Sequence, residues 1–214
     1  REFENIKRVL LSLTRNDKSY LQNSLVIFVI NNSISSHQEV KDDNKASLKF
    51  LRALMIGNPS DQLSNQIIQS GIRIGLIDAA SEGKEFDDAM AGVGLARKIA
   101  MDTALQVFDY SIPGKKLIIS LDADCLVEEN YLSEISLFFK KQNVSAATIE
   151  FEHNLSEAGI NKLGIISYEI FLRHYVAGLL FAQSPFAFHT VGSTVVCDHE
   201  AYIKVGGMNT KKAA

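Results

Sequence analysis

Ile118-Ile119-Ser120-Leu121-Asp122-Ala123-Asp124-Cys125 passes directly from an apolar, β-branched run to two carboxylates at positions i and i+2. The run opens at Lys116 and reads as a buried strand, because apolar residues follow one another without alternation. Upstream, Pro113-Gly114 turns the chain after a helix expected over residues 90–107. Before that, Ile72-Arg73-Ile74-Gly75-Leu76-Ile77 reads as a strand ending at Asp78. Leu25-Val26-Ile27-Phe28-Val29-Ile30 reads as another, closed by Asn31-Asn32-Ser33. Between and before these strands, Ile6, Val9, Leu10 and Leu13 recur at helical spacing, as do Leu48, Leu51, Leu54 and Met55 within residues 42–55. Ser60 or Asp61 is placed to cap a short helix carrying Leu63, Ile67 and Ile68. Downstream, the pattern predicts a helix over 128–141, a strand over 144–151 and an aromatic-rich helix over 164–181. An extended stretch over 186–197 and a short helix over 200–205 follow, before Gly206-Gly207. Alternating strands and helices predict an α/β domain whose sheet is mostly parallel, flanked by helices, with its ligand at the carboxyl ends of the strands.

Composition narrows the class. The 214 residues are 46% hydrophobic and 22% charged, which excludes a disordered or collagenous chain. The 22 basic residues against 25 acidic give a net charge of −3, so a large nucleic-acid footprint is not expected. Cys125 and Cys197 are far apart and lack zinc-ligand spacing, and they suit a reducing compartment. No run approaches the ~18 uninterrupted apolar residues of a membrane span. The N-terminal Arg1-Glu2-Phe3-Glu4 has no apolar signal core. The expectation is a cytoplasmic protein, with a peripheral place at the membrane as the variant of that reading.

Two carboxylates at i and i+2 on extended backbone point to one side and repel each other. The arrangement costs least when a divalent cation sits between them and an anionic ligand, and Mg²⁺ or Mn²⁺ accepts one or two carboxylates completed by phosphate and water. A solvated acidic turn is the plain alternative; the position at a strand end favours the site.

The segment Gly92-Val93-Gly94-Leu95-Ala96-Arg97-Lys98-Ile99-Ala100-Met101-Asp102-Thr103-Ala104, a strand, and then Leu121-Asp122-Ala123-Asp124 together resemble the family 2 glycosyltransferases of GT-A fold. Gly192-Ser193-Thr194 and Ala201-Tyr202-Ile203-Lys204-Val205-Gly206-Gly207-Met208 resemble that family's acceptor-side strand and its Val-Gly-Gly-Phe turn. The resemblance runs from Val26 to Asn209. It implies a Rossmann-like GT-A domain over residues 1–214 that transfers a hexose-type sugar from a nucleotide-diphosphate donor to a saccharide or lipid-linked hydroxyl, inverting the anomeric centre. It further implies that Asp124 ligates the metal on the diphosphate and that Asp122 meets the ribose or a metal-bound water. Asn31 and Asn32 stand where the family carries Asp near the nucleobase, and Asp78 ends the next strand on the same rim. Arg97 matches an Arg near the diphosphate, while Lys98 replaces the usual Asn. Gly192 and Ser193 fall on the substrate side. The family's opening strand and its acidic pair have no counterpart between Arg1 and Ala214, so the resemblance implies truncation at both ends and a general base beyond Ala214. The rival reading is a non-catalytic nucleotide-sugar-binding or assembly module.

Other features read more plainly. Gly92-Val93-Gly94 lacks the third glycine of a dinucleotide loop. His37, His153, His174, His189 and His199 show no metal spacing and read as exposed or structural. His199, after a strand on the acceptor side, has an approach to the metal or acceptor as its alternative, with Asp198 as a cap for the following helix the plainer account. Tyr168, Phe171, Tyr175, Phe181, Phe186 and Phe188 read as core or subunit contact, with a sugar or lipid platform as the alternative. Residues 79–88 read as a mobile loop, and the charge-rich stretch 82–88 within it as solvated or, alternatively, a lid over the donor.

Overall fold

The computed structural model describes residues 2–156, 159–189 and 194–211. The chain runs α1 (Glu2–Leu13), α2 (Lys18–Gln22), β1 (Leu25–Asn31), α3 (Gln38–Met55), α4 (Gln62–Ser70), β2 (Arg73–Ala79) and α5 (Val93–Val107). It continues through β3 (Leu117–Ile119), α6 (Tyr131–Lys141), β4 (Ala146–Thr148) and a 3-10 turn, Gly159–Asn161. It ends with α7 (Lys162–Phe181), β5 (Val195–Asp198) and α8 (His199–Lys204).

The helical stripes seen in the sequence become the main core. Ile6 and Leu10 of α1, Leu48, Leu51 and Leu54 of α3, and Ile67 of α4 are buried in one cluster with Ile30 of β1. Phe28, Ile74 and Leu76 pack onto it from the strands. Chain punctuation works as expected at α4. Asp61 accepts the Ser64 N–H at 2.7 Å while the Ser64 hydroxyl meets the Asp61 backbone N–H at 2.9 Å, a reciprocal cap. Gly71 closes the same helix in the left-handed region, φ 76°.

The molecule is mixed α/β, and the strands among the described residues form two sheets. β1 and β2 pair in parallel, from Leu25 opposite Arg73 to Asn31 opposite Ala79. The second sheet has the order β3-β5-β4, and β5 is antiparallel to both neighbours. The mostly parallel single sheet expected from the alternation is therefore realised only in the first pair. The later strands are shorter than their apolar runs: three residues in β3 and three in β4. Of the stretch expected to be extended over 186–197, only the end is strand, and residues 190–193 lie outside the described residues. Helix α5 joins the sheets. It lies against β1 and sends Met101, Ala104 and Leu105 into a second cluster with Ile118, Cys197 and Tyr202.

The aromatic helix departs from expectation. α7 has no buried residue; Phe171 is 62% and Phe181 92% exposed, and Phe186 and Phe188 beyond it are exposed too. These aromatics are surface, not core. Gly159–Phe181 is long and apolar enough by length and composition to cross a membrane, at a mean hydropathy of 1.2, although Glu169 and Arg173 interrupt it.

Candidate functional site

β3 carries its chain out of the sheet into the carboxylate pair. Ser120 continues the ladder, its N–H donating to the Val195 carbonyl at 2.9 Å, before the backbone turns. Ala123, between the two aspartates, packs against the cluster that holds Ile30 near the end of β1. One small apolar residue thus docks the turn on the main core cluster. The following loop is pinned from α1: the Ser12 hydroxyl accepts the Val127 N–H at 3.2 Å. Asn16, itself buried, donates to the Glu128 carbonyl at 3.1 Å and accepts the Leu132 N–H at 2.8 Å.

The two carboxylates have different surroundings. Asp122 Oδ1 accepts from Arg97 Nη2 at 2.6 Å, so the Arg from α5 that was expected near a diphosphate is brought to the acidic pair. The Arg97 side chain is only 13% exposed against 38% for Asp122, which makes the guanidinium a fixed charge in the wall rather than a surface arm. Asp124 is exposed, and its Oδ1 lies 3.7 Å from the Cys125 thiol. The expected pair is therefore one carboxylate held by an arginine and one facing solvent. No group of three or more potential metal-ligating side chains occurs among the described residues. The donor set is one or two carboxylates, which fits Mg²⁺ or Mn²⁺ completed by phosphate and water and does not fit a closed protein cage.

The remaining predicted residues divide. Asn31 and Asp78 do share one rim, since β1 and β2 run parallel and in register there. Asn32 is buried; its Oδ1 accepts from Asn44 Nδ2 at 3.0 Å and its Nδ2 donates to the Ser33 carbonyl at 3.1 Å. Its amide is used inside the fold. Asp78 is likewise engaged by Arg52 at 2.6 Å, by the Ser81 hydroxyl at 2.8 Å and by the N–H groups of Ser81 and Ala80. Burial raises its pKa, but the hydrogen bonds from Ser81 and Ala80 and the charge of Lys84 outweigh that and bring it to about 2. Asp78 organises its own loop. Gly192 and Ser193 lie outside the described residues.

The charged segment after β2 is tied down rather than loose. The Phe86 N–H donates to the Asn32 carbonyl at 3.0 Å and the Phe86 carbonyl accepts from Ile34 at 3.1 Å. Asp88 takes both the backbone N–H and the hydroxyl of Ser35, at 3.1 and 2.6 Å. The Gly206-Gly207 turn is a structural clasp between α8 and α5. Gly207 has φ 84°, and a Cβ there would meet Lys98 Nζ at 3.1 Å and the Tyr202 hydroxyl at 3.4 Å. That hydroxyl donates to Asp102 at 2.8 Å and accepts the Met208 N–H at 3.1 Å. Burial, opposed by the Met208 bond and reinforced by Asp102, holds its pKa at about 12. The His199 ring stands among Phe108 and Tyr110 with its Nδ1 buried and without a hydrogen-bond partner, and Asp198 caps α8 by accepting the Ala201 N–H at 2.8 Å.

Ser12, Asn16 and Asn44 were not singled out by sequence reading. For Ser12 and Asn44 a signal was available as polar residues on the inner faces of amphipathic helices, Asn44 sitting at i−4 and i−7 from Leu48 and Leu51, whereas Asn16 lies in the turn between α1 and α2 and carried none. No protein-family model, curated protein or solved structure matches the chain.

Proposed function

We propose that the protein is a metal-dependent glycosyltransferase of GT-A type, transferring a sugar from a nucleotide-diphosphate donor to an acceptor hydroxyl. The observation that carries the reading is the Asp122-Ala123-Asp124 turn at the exit of β3, docked through Ala123 on the main core cluster with Arg97 fixed on Asp122. Asp124, assisted by Asp122, would hold Mn²⁺ or Mg²⁺, which supplies charge neutralisation to a diphosphate when bound. Departure of a nucleoside diphosphate leaves negative charge on its oxygens. Arg97, already positioned and poorly solvated, stabilises charge there without having to reorganise. Asn31 at the neighbouring strand end is the remaining candidate for the nucleotide, since Asn32 and Asp78 are occupied by the fold.

A binding module without catalysis is the second reading. The neutralisation of Asp122 by Arg97 favours it, because that pair is also what a purely structural turn requires. Calorimetric titration with a panel of UDP- and GDP-sugars, with and without Mn²⁺, tests both. The expected result is binding that depends on Mn²⁺ and is abolished in Asp124→Asn. Binding indifferent to Mn²⁺ and to this substitution rejects the metal site, and metal-dependent binding without turnover selects the module.

A further inference from the structure

β3 and β4 are both antiparallel to β5, so they are parallel to each other and leave the sheet at the same edge, about 10 Å apart. β3 leaves into Asp122 and Asp124. β4 leaves into a segment that ends at His153, and the Ile149 N–H still holds the Thr194 carbonyl at 2.7 Å on the way out. Helix α7 lies against this second exit and lines two open clefts with it. One, of about 210 Å³, is lined by Glu152, His153, Glu169, Leu155, Ile166 and Ile170. The other, of about 450 Å³, shares Arg173 with the first and reaches Ile149 and Val176.

His153 is set in place with unusual completeness for a surface-facing histidine. Its Nδ1 lies 2.5 Å from Glu169 Oε1, and its backbone N–H donates to that same oxygen at 2.9 Å. Arg173 Nη2 stands 3.3 Å from the other carboxylate oxygen. The imidazole is flanked by Phe151 and Tyr168, edge to face, at 5.9 and 5.5 Å between centroids. The Glu169 side chain is 14% exposed. The hydrogen bond from the His153 ring, opposed by burial and helped by the His153 N–H and by the positive charges of the imidazolium and Arg173, holds its pKa below the usual carboxylate range. An ionised carboxylate only accepts, so Nδ1 must carry the proton, and in the neutral ring the lone pair is on Nε2. A carboxylate fixing Nδ1–H while leaving Nε2 basic is the arrangement that general-base histidines require.

We propose that His153, positioned by Glu169, accepts the proton of a ligand hydroxyl seated in the cleft beside α7, and that this ligand is the acceptor in glycosyl transfer, His153 then taking the place of the base that the resemblance puts beyond Ala214. The second clause rests on the reading under Proposed function. In the transfer step the hydroxyl oxygen forms a bond to the anomeric carbon and the bond from that carbon to the diphosphate oxygen breaks. The electron pair of the broken bond leaves with the nucleoside diphosphate, the hydroxyl proton goes to Nε2, and Glu169 stabilises the imidazolium. Leu155, Ile166 and Ile170 on one side of the lining, facing the charged groups of Glu152, Glu169 and Arg173, suit a hydroxyl carried on a body that is apolar on one face.

The test combines spectroscopy on the unaltered chain with two variants. At pH 8.5, ¹⁵N-resolved imidazole spectra are expected to show His153 protonated at Nδ1 and bare at Nε2. Glu169→Ala is expected to give a mixture of tautomers. The opposite tautomer in the unaltered chain, or no response to Glu169→Ala, overturns the proposal. n-Octyl β-D-glucoside below its micellar concentration is the acceptor probe, with the donor that the calorimetric panel selects. His153→Gln is expected to lower transfer about 100-fold with donor affinity unchanged. Transfer retained in His153→Gln overturns the proton-acceptor role and leaves the transferase reading standing. If no donor binds, that reading falls and the acceptor clause with it, while the tautomer result still decides whether Glu169 poises His153 as a base.

Discussion

α3 and α7 are helices of similar length, 18 and 20 residues, with opposite fates. α3 is rich in charge, yet it buries Leu48, Phe50, Leu51 and Leu54 against α1, α4 and the parallel strands. α7 is far more apolar and buries nothing completely. Apolar content alone does not place a helix in a core. α3 gathers its apolar residues on one stripe and turns Lys45, Lys49 and Arg52 away from it, so a single docking removes the whole stripe from water. The apolar residues of α7 are spread around its circumference, and one contact face leaves Leu163, Phe171 and Tyr175 outside. The strands show the same contrast. β1 and β2 share seven register pairs and support the main cluster, whereas β3 and β4 are three residues each and meet only through β5.

The largest expected effect probes this contrast directly. Leu51→Ala should cost about 3 kcal/mol of stability, because the side chain is fully enclosed and its removal leaves a cavity. Phe171→Ala on α7 should cost less than about 0.5 kcal/mol. Urea denaturation of both variants measures the difference, and equal losses would mean that α7 is covered in solution. Next comes Asp78→Asn, expected to cost about 2 kcal/mol at neutral pH from the lowered carboxyl pKa of a side chain 11% exposed. Because the folded pKa is depressed, this contribution is present above the unfolded value near 4 and is lost as pH falls toward about 2. The acid limb of the stability profile should therefore flatten in the variant over that window, read as urea midpoints between pH 5 and 2. The smallest effect is Phe181→Ser, which should change thermal stability by no more than about 0.5 kcal/mol because that ring is 92% exposed. Its visible consequence should be a higher concentration before aggregation, measured by light scattering.

The candidate site was legible in its carboxylates and not in its partners. Asp122-Ala123-Asp124 stood out because a strand-like run ended in two acids at spacing two, and Arg97 stood out by resemblance. Neither showed that the two would meet at 2.6 Å, since that contact spans 25 positions and depends on where α5 packs. Asn32 looked like a ligand contact for the same reason that it is a good hinge for its loop: a polar residue at a strand end serves either purpose, and Asn44 decides which. His153 and Glu169 are 16 positions apart, in an irregular segment and a helix, and no spacing rule joins them.

Local chemistry carried by neighbours in sequence settled the positions of the main helices, the parallel pair β1–β2, the Asp61 cap and the exit of β3 into acid residues, because helical stripes, apolar runs and capping groups act over a few residues. Tertiary structure alone decided that β5 runs antiparallel between β3 and β4, that the aromatics of α7 stay at the surface, and which carboxylates are already neutralised. Those outcomes depend on pairing and burial between segments distant in the chain, and the free energy of such contacts is fixed only when the partner is in place.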